Sequence, residues 1–134
     1  MADIRYGIVK ELPDTDYDTA VKRVTELLAD EGFGILTTID VKATIKKKLD
    51  KDFRRYVILG ACNPPLAHKA LEAEPHIGLL LPCNVVVAER ESGSGTVVSA
   101  MDPVAAFSLI GNDDIQPVAE RVRGIMQGIL DRLE

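Results

Sequence analysis

The chain predicts an α+β fold: an antiparallel sheet of about five strands in the order β-α-β-β-β-β-α, with short extra helices and the helices mainly on one face. Three observations carry this. Tyr17, Ala20, Val21, Val24, Leu27 and Leu28 recur at helical spacing, and so do Ile115, Val118, Val122, Ile125, Met126, Ile129 and Leu133. Between these stripes lie short β-branched runs such as Val85-Val86-Val87 and Thr96-Val97-Val98. Glu91-Ser92-Gly93-Ser94-Gly95 joins the last two runs as a flexible hairpin turn, which makes them antiparallel.

In chain order, Ile4 to Leu12 alternates loosely and reads as a first strand ended by Pro13. Asp14, Asp16 and Asp18 put negative charge at the start of the first helix, where its dipole favours it, and Gly32 closes that helix. Phe33 to Ile39 is the second strand. Val41, Ile45 and Leu49 mark a short amphipathic helix. Its other face carries Lys42, Lys46, Lys47 and Lys48, followed by Lys51, Arg54 and Arg55; this is an anion-binding patch or, more simply, a solvated face. Phe53 to Ala61 is the third strand. Asn63 and Pro64 then start a helix, as an N-cap and a first-turn proline do, and Glu74-Pro75 ends it. Cys83 to Glu89 is the fourth strand and Thr96 to Met101 the fifth, stopped by Asp102-Pro103. Val104 to Ile110 predicts a helical turn under the sheet, and Asn112-Asp113-Asp114 a cap for the last helix. Gly124 and Gly128 lie opposite that helix's apolar stripe, where they permit close approach of a second subunit or mark a tolerant surface.

Residues 1–134 suit one domain. A net charge of −5 argues against nucleic-acid and anionic-membrane partners. Apolar runs are far below the roughly 20 residues that span a bilayer. Met1-Ala2-Asp3-Ile4-Arg5 has no secretory pattern, so the expected compartment is the cytoplasm, where thiols rest reduced. Tryptophan is absent and aromatics are 4% of the chain, which disfavours base-stacking surfaces. Walker, dinucleotide-binding and nucleophile-elbow patterns are all missing.

Both cysteines fall in one stretch, Cys62 beside Asn63 and Cys83 beside Asn84. If the third and fourth strands are antiparallel neighbours, Cys62 at the end of one meets Cys83 at the start of the other. Met101, ending the fifth strand, reaches the same rim, and His68 and His76 lie in the connection above it. Cys62 precedes a helix N-cap, and free N–H groups there favour a thiolate. Cys62, Asn63, Cys83, Asn84, Met101 and His76 are therefore the candidate ligand-binding residues, with Cys62 and Cys83 as candidate thiols. Two functions stay open. One is a soft-ligand or thiol and sulfur-handling site for a small molecule, a soft metal or haem. The other is a non-catalytic, homodimeric interaction domain whose cysteines only pack, as free cysteines often do.

Gly60-Ala61-Cys62-Asn63-Pro64, the Ala67, Leu71, Pro75 spacing, Leu81-Pro82-Cys83-Asn84-Val85 and Ser99-Ala100-Met101-Asp102-Pro103 together resemble the family called Domain of Unknown Function 302, over almost the whole chain. The resemblance implies an α+β fold like that of the TATA-binding-protein class. It implies one helix between the first two strands, a four-stranded antiparallel meander and a final helix, often as a homodimer. It implies no DNA binding, since this acidic chain lacks the basic surface that such use requires.

Overall fold

The computed structural model describes residues 4–133; the leader-free reading of the N-terminus falls partly on residues 1–3, outside that range. The strands are β1 (Gly7–Leu12), β2 (Gly34–Asp40), β3 (Tyr56–Cys62), β4 (Cys83–Glu89) and β5 (Thr96–Met101). All pair antiparallel in the order β1-β5-β4-β3-β2, so β2 to β5 form a meander and β1 closes the far edge against β5. The α+β architecture expected from the two helical stripes and the hairpin is the one observed.

The helix α1 (Tyr17–Asp30) starts where the Asp16 side chain accepts from the Thr19 N–H at 3.4 Å; hydrogen bonding from Thr19, its side chain first and its N–H after, holds the Asp16 carboxyl below the usual value. It ends where Gly32 N–H donates to Ala29 O and Phe33 N–H to Leu28 O. That is the Schellman pattern, and Gly32 supplies its left-handed residue at φ +81°. On β3, β4 and β5 alternate residues point one way: Val57, Leu59 and Ala61; Cys83, Val85 and Val87; Val98 and Ala100. Helices α1 and α5 (Gln116–Asp131) lay Val24, Leu28, Val122 and Met126 over them to make the main core. The other face of the sheet carries Val86, Val97 and Ser99 in an open trough.

A second, smaller cluster joins α3 (Pro64–Ala73), the 3-10 helix Pro75–Leu80, α4 (Pro103–Phe107) and α5 through Ala70, Ile77, Phe107, Ile115 and Ala119. The turn expected under the sheet is thus α4, but Phe107 packs in this satellite cluster instead. Two further expectations change. The helix α2 (Val41–Leu49) buries no residue: Val41 and Ile45 are only half-buried beside β2 and β3, and Leu49 is 63% exposed. Its lysines are solvated or paired: Lys46 with Asp50 and Asp52, and Lys42 with the Phe53 carbonyl. Asn112-Asp113-Asp114 caps the turn that leads into α5 rather than α5 itself: Asn112 Oδ1 accepts from Asp114 N–H at 3.0 Å, while the α5 N-cap, Ile115, makes no side-chain bond. Asn112 Nδ2 also donates to Ala73 O and Glu74 Oε1, tying the end of α3 to the loop before α5.

Candidate functional site

Cys62 is the last residue of β3 and Cys83 the first of β4. The ladder sets Ala61 opposite Cys83, so Cys62 lies one step beyond its neighbour. The two thiols share one rim, as the strand order predicted, and both are free. Gly60 lets the rim close: a Cβ there would run into the Thr37 side chain and come within 2.8 Å of Pro82 Cγ. Pro82 follows a cis peptide and leads directly into Cys83.

These elements enclose a cleft of about 330 Å³. Ala61, Cys62 and Cys83 form its sheet wall. Leu66, Ala67, Ala70 and Leu71 come from α3, Phe107 from α4, Val118 and Val122 from α5, Leu36 from β2 and Phe33 from just before it. The cleft therefore lies at the seam between the two apolar clusters. Among the described residues its lining contains no Lys, Arg, Asp, Glu or His. Asn63 is its only side-chain amide and is already committed. Its Oδ1 accepts from Leu66 N–H and its Nδ2 donates to Glu31 O, each at 3.3 Å, which pins the start of α3 to the end of α1.

The thiols differ. Cys83 is 7% exposed, and burial first, then the neighbouring Cys62, pushes its pKa up to about 11, so it stays a neutral thiol near neutral pH. Cys62 is half-buried and open to the cleft. The helix end expected to favour a Cys62 thiolate has no donor to spare. Pro64 and Pro65 lack N–H groups, Leu66 N–H is taken by the Asn63 side chain, and Ala67 N–H by the Asn63 carbonyl.

Half of the candidate ligand residues gather here: Cys62, Asn63 and Cys83 line the cleft. Asn84 and His76 are exposed and do not line it. Met101 ends β5 at the same end of the sheet, but its side chain packs into the two apolar clusters. His68 is exposed and lies 3.5 Å from Glu72. Among the described residues no group of three or more His, Cys, Asp or Glu side chains could hold a metal ion. A soft metal or haem would find two thiols here and no further donor of that kind. The sequence alone marks Leu66, Ala67, Ala70 and Leu71 as the buried side of α3; what it missed is that this side faces a gap beside the sheet, for which the small pair Ala67 and Ala70 was the available signal.

A family model described as Domain of unknown function DUF302 matches residues 8–133. No curated protein matches the chain. Among solved structures, the crystal structure of an uncharacterized conserved protein DUF302 from Bacillus stearothermophilus superposes with a TM-score of 0.88. It is 26% identical, and the match covers 98% of this chain and 100% of that one.

Proposed function

The chain belongs to the DUF302 family, and on that footing we propose that it is a non-catalytic binding domain whose cleft takes a small, uncharged, largely apolar molecule in contact with Cys62 and Cys83. One observation carries the reading: a 330 Å³ cleft whose wall holds two thiols and no charged side chain. Its volume lies at the lower end of the range for small-molecule sites. A charged ligand would lose its hydration there with nothing to pair it. Acid–base catalysis needs a titratable group within hydrogen-bond reach, and the lining offers only thiols, one of them held neutral. Thiols are polarizable and act as soft contacts. A reducing compartment such as the cytoplasm would keep both of them free.

The test fills the cleft. Ala67 lines it from α3 and is half-buried. Ala67→Phe should keep the fold by circular dichroism and abolish the fluorescence gain of an apolar dye that the parent binds. Dye binding that survives the substitution unchanged, or a parent that binds none, removes the proposal.

Self-association through the outer face of α5 is a further part of the reading. A Cβ added at Gly124 or Gly128 meets nothing within 4 Å, so neither glycine is needed for packing inside this chain. Each costs about 1 kcal/mol relative to Ala in a helix. A second copy approaching that face would account for the cost. Gly124→Leu should then shift a dimer to monomer in light scattering. A chain that is monomeric at every concentration, with Gly124→Ala stabilising it by about 1 kcal/mol, contradicts the dimer.

A further inference from the structure

We propose that Cys62 accepts an acyl group from an acyl thioester whose alkyl chain lies in the cleft, a self-modification that rests on the apolar-ligand reading above. The wall offers no charged anchor, so shape and the thiols are what remain to discriminate among apolar ligands. A thiol held beside a bound alkyl chain gains rate from proximity to an electrophilic carbon on that chain. Exchange between a thiol and a thioester makes one C–S bond and breaks another. It needs no oxidant, metal or catalytic base from the wall.

Cys62 rather than Cys83 is the acceptor because it is half-buried at the end of β3, reachable while the donor's polar head stays in water. Cys83 is 7% exposed and lines the same wall, and its thiol makes no hydrogen bond among the described residues. Its neutral thiol is a weak donor without a partner, available to the carbonyl oxygen of a bound thioester. The step balances as follows. Solvent base removes the Cys62 thiol proton and Sγ adds to the thioester carbonyl carbon. The donor's C–S bond then breaks, and the departing thiolate takes up a proton. The lining has no side chain able to activate water, so the new thioester persists and one acyl group is added per chain.

The experiment incubates the full chain with N-acetylcysteamine thioesters from acetyl to octanoyl and follows intact mass, with peptide mapping of the adduct. Chain burial predicts a rate that rises about fourfold per methylene until the cleft is full. The expected adduct is single and on Cys62, is absent in Cys62→Ser, persists in Cys83→Ser and forms more slowly in Ala67→Phe. Acetyl reacting as fast as octanoyl, or adducts spread over Cys83 and lysines, overturns the proposal. Titration of Cys62→Ser with the unreactive octanoyl amide separates the two ideas. Binding there, with no acylation of the parent, sinks the acyl transfer and leaves the apolar cleft. An absence of binding sinks both.

Discussion

The two faces of one sheet make opposite surfaces. Residues Cys83, Val85 and Val87 of β4 point toward the helices, while Val86 and Ala88 of the same strand line the open trough. The trough is the larger space, about 520 Å³ against about 330 Å³ for the cleft. Its charges are mostly paired: Arg90 with Glu11 at 2.9 Å, and Arg54 3.7 Å from Glu91, although Arg54 Nε is buried there without a hydrogen-bond partner. A ligand in the trough would have to displace or duplicate those pairs. Among the described residues the cleft has no ion pair to displace and carries a buried thiol without a hydrogen bond. The trough is thus the larger space and holds one unmet guanidinium N–H amid paired charges, whereas the cleft offers a wall without charged side chains among the described residues, the kind of surface that small-molecule sites use.

The strongest way to break this contrast is Phe107→Ala. Phe107 is 6% exposed and forms both a cleft wall and part of the satellite cluster. Its truncation should cost about 3–5 kcal/mol in urea denaturation. A cost below about 1 kcal/mol would mean that the cleft wall is not a packed structure.

Next comes the alkaline limb of stability. The Cys83 pKa is raised from 9.0 to about 11, so both folded and unfolded chains keep the proton below about 9. Between these values the unfolded thiol ionises first, and stability falls as pH rises. The full loss is about 3 kcal/mol. Cys83→Val should remove that part of the slope in denaturation series from pH 8 to 11; identical slopes would show that the thiol is not sealed as described.

The smallest effect belongs to the trough. Glu11 and Arg90 are partly exposed, and Glu11→Gln should cost about 1 kcal/mol or less, decreasing with added salt. A larger, salt-insensitive loss would raise the trough to the standing of the cleft.

Much of the frame was legible from residues alone. The valines of β4, the Ser-Gly hairpin and the Asp102-Pro103 stop placed β4 and β5 with their observed bounds. Cys62 and Cys83 were placed on a common rim because consecutive strands pair antiparallel. The site's membership was legible only in part. His76 is close in sequence to the rim yet exposed, and Met101 reaches it yet turns into the packed clusters, because backbone position does not set side-chain direction. Asn112 looked like a cap, and its Oδ1 does accept from Asp114 N–H just before α5, but its Nδ2 reaches the Ala73 carbonyl and the Glu74 carboxylate, 39 and 38 residues away in sequence, which no local signal records.

Local periodicity and turn chemistry determined the elements and their order, since each is settled within a few residues. The cleft was decided only when α3 was pinned at one end by Asn63 to α1 and at the other by Asn112 to the loop before α5. Both ties join segments far apart along the chain. A gap between packed layers is a property of how those layers are held, and no spacing within one layer records it.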